Sequence, residues 1–162
     1  MEYVLKKERL YDNGNERLRY RVEYPVIEGL GKINRFFEKI AENCVEFCKG
    51  TLYGKACGNN EKYIYVLSLA VTHLDDKAFS VLLISRLFRE GLVLSQFLRP
   101  LTFDLRTELM IPDKILVRRY AEKPNKCREK DYFLYNGRLV SATEENMIKY
   151  VEKARCKRQK NL

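Results

Sequence analysis

Cys44 and Cys48 stand four residues apart, an interval that on a helix puts both thiols on one face. That spacing would suit half of a metal site or a redox pair. A structural metal wants four ligands, however, and the single histidine, His73, lies far off in sequence with no partner motif. Buried cysteine otherwise packs as a small hydrophobe, which is the role expected of this pair. The acids Asp75-Asp76, Asp104, Glu108 and Glu144-Glu145 form no recognisable constellation. The chain has no GxxxxGK[ST] phosphate loop, HExxH, GxSxG or CxxC. His73, at the end of a strand pattern, reads as a turn residue. We therefore assign no catalytic residue, metal or cofactor, and expect the chain not to be an enzyme.

The surface constellation worth testing is basic. In RLRYRVEYP, Arg17, Arg19 and Arg21 alternate with Leu18, Tyr20 and Val22, the period of a strand with one greasy and one wet face. The formal net charge is +9. Between Lys149 and Leu162 six bases meet one acid, leaving +4 over the first 148 residues. Lys153, Arg155, Lys157 and Arg158 of this tail join Arg17, Arg19 and Arg21 as the candidate binding surface. Tyr20, Tyr24, Tyr63 and Tyr65 could stack bases beside such a surface. Strand neighbours point to opposite faces, though, so Tyr20 and Tyr24 project away from the arginines. A solvated face is the reading adopted, with nucleic-acid binding as the alternative.

The elements that must position these residues follow from periodicity. Tyr3 to Tyr11 and the quoted stretch form a hairpin around the DNGN turn, with Glu23 on the charged side. After Pro25, Leu30, Ile33, Phe36, Phe37, Ile40, Ala41, Cys44, Val45 and Cys48 recur at helical spacing, and Gly50 is placed to stop that helix. Tyr63–His73, Ala78–Phe88 and Leu92–Leu105 form a meander, with Pro100 at an edge or bulge position. The segment after Asp104, through LVRRYAEKPNKCREK, reads as a polar loop. YFLYNGRLV is a short hairpin around Asn136-Gly137. Ser141 and Glu144 suggest a capping box for a short C-terminal helix, which frays into CKRQKNL.

The fold class expected is α+β: an antiparallel sheet of hairpin plus meander, with one long helix packed across it and a short C-terminal helix. One domain over residues 1–148 and a basic end over 149–162 are expected. With 162 residues, 46% hydrophobic and 12% aromatic, the chain can bury a core. No apolar run reaches transmembrane length. The first residues lack the hydrophobic block of a signal peptide, and five cysteines cannot all pair. A cytoplasmic location is expected.

Several stretches resemble a known family in order and spacing. LRYRVEYPVIEGLGKINRFFEKIAENCVEFCKGTLYGKA is similar to the opening of RsiV-like anti-sigma-factor ectodomains and their clostridial relatives. YIYVLSLAVTHLDDKAFSVLLISRLF resembles the strand pair that follows there. PLTFDLRTELMIPDKI and DYFLYNGRLV resemble two later segments, so the likeness spans roughly residues 15 to 140. SRLFREG stands where the family carries a glycine-rich TGGAHG turn, and the family's last strand has no counterpart after Val140. One branch of the family binds lysozyme, and another accompanies a peptidoglycan deacetylase domain. The resemblance implies an α+β recognition module. Its partner would be a protein or small ligand, and a homodimer through an exposed sheet edge is compatible with that role.

Overall fold

A computed structural model describes residues 3–11, 17–122 and 131–160, and their side chains except at 5–11 and 157–160. The DNGN turn, Cys127, and the side chains of Lys157 and Arg158 lie outside the described residues. In chain order the elements are β1 (Tyr3–Tyr11), β2 (Leu18–Ile27), α1 (Gly31–Phe47), a π-helical turn (Cys48–Leu52), α2 (Tyr53–Asn59), β3 (Tyr63–Leu74), β4 (Ala78–Arg89) and β5 (Leu92–Asp104). Then follow β6 (Leu109–Met110), α3 (Asp113–Tyr120), β7 (Tyr132–Tyr135), β8 (Arg138–Ser141) and α4 (Glu144–Lys160). Strands β1 to β6 lie in sequence order in one mixed sheet, and β7 and β8 form a second, two-stranded one. The α+β class holds. One pairing departs from the antiparallel expectation: β2 and β3 run parallel, because a whole helical segment carries the chain back before β3 begins.

The chain divides into two compact units. One comprises residues 2–69 with 84–97. Here the period-two reading of β2 holds at its start: Leu18, Tyr20 and Val22 are buried, and Arg19 and Arg21 are exposed. It fails at Glu23, which is buried along with Tyr24 and Pro25. Helix α1 lies with Ile33, Phe37 and Ala41 inward, as its apolar stripe requires. Burying Phe37 alone contributes on the order of 2 kcal/mol. Asn34 fastens the first turn to the end of β2: its Nδ2 donates to the Ile27 carbonyl at 2.7 Å, and its Oδ1 accepts the Ile27 N–H at 2.8 Å. Gly50 does not stop the helix. Cys48, Leu52 and Ala56, four apart, are all buried, so the apolar stripe carries the chain through a π turn to Asn59. The stop is Asn60, whose left-handed φ of 55° closes α2.

The other unit comprises, among the described residues, 70–83 with 98–122 and 131–160. Its core includes Ala78, Ile111, Leu116, Tyr132 and Leu134. The stretch expected to be a loop contains α3, which the aliphatic Ile115, Leu116 and Val117 bury against this core. Pro112 sets its start and Asp113 its acidic first turn. The Asn136-Gly137 turn of the β7–β8 hairpin has φ of 48° and 79°, as a two-residue primed turn demands. Ser80 is a buried hub: its Oγ lies 2.9 Å from Thr102 Oγ1 and accepts the Leu134 N–H at 3.1 Å. The cap of α4 is Thr143, whose Oγ1 accepts the Asn146 N–H, and not Ser141, which ends β8. Helical backbone continues to Lys160 rather than fraying at Cys156. Tyr150 holds this helix to β7, its ring 4.5 Å from that of Tyr135 and 5.7 Å from that of Phe133.

Candidate functional site

Three surfaces could carry function, and the arginine strip is the one the sequence singles out. Arg17 stands just before β2, and its Nη1 donates at 3.4 Å to the carbonyls of Ala56 and Cys57. A cation on the last carbonyls of α2 is a helix-capping contact, so Arg17 is occupied structurally. Arg19 and Arg21 remain on the exposed face, in register with Ile64 and Val66 of β3. On the other side the pairing sets Arg21 opposite Arg9. Tyr20, Tyr24, Tyr63 and Tyr65 are all buried. The four rings that could have stacked bases are therefore turned into the core. Lys153 and Arg155 belong to α4, in the other unit, where Lys153 Nζ sits 5.0 Å from the Tyr150 ring centroid.

The second surface is a charged hollow of about 480 Å³, lined by Asp76, Lys77, Asp104, Arg106, Arg119 and Tyr120. Asp104 organises it. Its Oδ1 accepts the N–H groups of Arg106 and Thr107, and its Oδ2 accepts Arg119 Nη1 at 2.9 Å. The Arg119 guanidinium, with those backbone donors, holds the Asp104 carboxyl below the usual carboxylate range. Asp75, next to Asp76 of the lining, accepts the N–H groups of Lys77 and Ala78 at one oxygen, Oδ1, both at 2.7 Å. Burial pushes its pKa up, but those donors and His73 outweigh it, and the carboxyl titrates below its ordinary value. Burial, then the Asp75 charge, pushes the Tyr120 phenol up, so it stays a protonated donor near neutrality. His73 Nε2 is 3.1 Å from Asp75 Oδ2 but buried and not aligned for a hydrogen bond. It is a charge-proximity contact that becomes an ion pair only on protonation. Sequence reasoning listed Asp75, Asp76 and Asp104 as scattered acids; Lys77, Arg106 and Arg119 it missed, since their convergence needs the β3–β4 and β5–β6 turns and α3.

The third surface is the first half of β5. Leu92, Val93, Leu94 and Phe97 are 75%, 59%, 47% and 58% exposed. From Leu92 to Leu98 there is no charged residue, in a chain one-third charged. β6 pairs with β5 only at Phe103 and Asp104. Among the described residues no strand flanks the outer edge of Leu92–Phe97. Pro100 thus sits on an edge, as expected. The uncharged run was visible in the sequence, where it read as the third strand of the meander.

Cys57 and Cys156 are exposed, whereas Cys44 is half-buried and Cys48 buried. Cys44 Sγ lies 3.3 Å from Tyr65 Oη, and Tyr65 Oη also accepts Ser85 Oγ–H at 3.1 Å. Burial, helped by the neighbouring Cys44, pushes the Cys48 thiol up to about 12. A thiol so placed stays protonated near neutrality, which weakens it as a nucleophile. Among the described residues no three His, Cys, Asp or Glu side chains converge to hold a metal, and no helix is long and apolar enough to cross a membrane.

No family model matches the sequence, and no curated protein does. Among solved structures, the fold is similar to that of a DUF3298 family protein from Pseudomonas aeruginosa, with a TM-score of 0.51 at 12% identity. The likeness covers 68% of this chain and 55% of that one. At such identity it shows the shared fold, a mixed sheet with helices, and nothing finer.

Proposed function

We propose that this chain is a non-enzymatic interaction module on an RsiV-like fold, which takes an extended segment of a partner protein onto the outer edge of β5. The observation that carries the reading is the uncharged run Leu92–Phe97, with four large apolar side chains exposed, on an edge that no strand flanks among the described residues. Edge strands are ordinarily blunted by charge, by bulges or by cover, because unpaired N–H and C=O groups recruit other strands. Leu92–Phe97 carries no charge, and among the described residues no strand covers its outer edge. Strand addition supplies main-chain hydrogen bonds for affinity and side-chain contacts for selectivity. Arg86 and Arg89 stand on the neighbouring strand, and the whole chain is strongly basic. The partner segment is therefore apolar at its centre with acidic flanks, since charge complementarity steers encounter and fixes register. A second copy would bring the same arginines to the same rim. Nucleic-acid binding through Arg19, Arg21 and the basic end is the weaker reading, because Tyr20, Tyr24, Tyr63 and Tyr65 are buried away from any strand they could stack.

The test is selection of short displayed peptides on the intact chain, followed by binding to a Leu94→Lys variant whose circular dichroism is unchanged. Apolar peptides with acidic ends, losing at least tenfold in affinity for the variant, are the expected result. Peptides that bind both proteins equally would remove β5 as the site. Concentration-dependent dimerisation abolished by Leu94→Lys would give the edge to a second copy instead.

A further inference from the structure

The hollow bounded by the β3–β4 turn, the β5–β6 turn and α3 is a separate matter from the edge of β5. We infer that it is a binding site for a small oxyanion, a molecule presenting a carboxylate or phosphate group. The inference rests on what each lining group has left to offer. Asp104 is saturated: both oxygens already accept donors, two from the backbone of its own turn and one from Arg119. Asp75, outside the lining, accepts Lys77 N–H and Ala78 N–H at Oδ1, and its Oδ2 faces His73 Nε2 at 3.1 Å. Neither carboxylate has much attraction left for a cation entering the hollow.

The groups that keep capacity are almost all donors. Lys77 and Arg106 have no side-chain hydrogen bond or ion pair among the described residues. Arg119 is held at one nitrogen by Asp104, which fixes its fork and leaves its other N–H groups for a ligand. A guanidinium positioned in this way is pre-organised for bidentate pairing with a carboxylate or phosphate. Tyr120 adds a hydroxyl on the same wall. Asp76 is the one acid of the lining with neither side-chain hydrogen bond nor ion pair, and it opposes the three cations. A volume of about 480 Å³ exceeds the need of a bare phosphate and suits a small organic anion.

This site can be tested with defined probes. Inorganic phosphate and citrate would be titrated into the intact chain at constant ionic strength, with chloride as the control, following backbone amide shifts of residues 75–78 and 104–107. Saturable shifts with phosphate, citrate or both, confined to these turns and absent with chloride, are expected, and the stronger probe identifies the group. Arg106→Gln and Lys77→Gln should each weaken binding about tenfold, the scale of one charge-assisted contact. Asp76→Asn should tighten it several-fold by removing the opposing charge. A gain in affinity cannot come from misfolding, so that variant keeps the test sharp. No saturable shift with either probe, or affinity unmoved in all three variants, would overturn the inference.

Discussion

The charged hollow and the apolar edge of β5 present opposite kinds of unfinished surface. In the hollow, charge is abundant but largely settled: Asp104 and Asp75 are each tied by backbone donors of their own turns, and Arg119 is fixed by Asp104. What remains is a surplus of oriented donors. Along Leu92–Phe97, charge is missing altogether, and what remains is unpaired backbone with large side chains in water. The first arrangement selects a small group by its charge and geometry. The second, on the proposed reading, would take an extended chain by its backbone and choose among sequences by side chains and flanking charge.

Two phenylalanines of β5 separate buried sheet from open edge. Phe103 is 2% exposed and stacks on Phe79, ring centroids 6.5 Å apart. Phe103→Ala is expected to cost about 3–5 kcal/mol of stability by urea denaturation, through lost burial and the cavity left behind. Phe97→Ala should change stability by less than about 0.5 kcal/mol, as exposed positions do. Comparable losses at both positions would mean that Phe97 is covered in solution. Next in size is Ser80→Ala, which strands the Leu134 N–H and Thr102 hydroxyl inside the core and should cost about 1–3 kcal/mol. An unchanged midpoint would show that the hydroxyl hub is dispensable.

Smaller effects probe the charges. Arg17→Ala removes the contact on the α2 carbonyls and should cost up to about 1 kcal/mol, while Arg21→Ser should be nearly neutral. Equal costs would contradict the assignment of Arg17 to capping. Asp104 carries a pH dependence of definite sign. Its folded pKa lies below its unfolded value, so its contribution is fully present above about pH 4 and is lost as pH falls through the folded value. Acid denaturation followed by fluorescence should therefore show a shallower decline for Asp104→Asn than for the native chain. A steeper one would reverse the sign assigned here.

Much of the fold was legible because its signals are periodic. The alternation in β2, the stripe of α1 and the Asn-Gly hairpin each encode their element locally. The errors share a cause: a local signal was overruled by burial at a distance. Gly50 looks like a stop until Leu52 and Ala56 find cover, and α3 looks like a polar loop until Leu116 meets Leu134 and Tyr132. Glu23 reads as solvent-facing until both faces of β2 are covered near Pro25. The hollow was illegible because its six residues come from three separate segments. The edge could have been read: seven uncharged residues in so charged a chain were a signal, but periodicity cannot tell a buried strand from one awaiting a partner.

Hydrogen exchange along β5 reads out strand addition residue by residue. Amides of Leu92–Phe97 that point away from β4 are predicted to exchange freely in the chain alone and to become protected when a selected acidic-flanked peptide is added. Protection already present in the isolated monomer, or no change on adding a peptide that binds, would contradict strand addition at this edge.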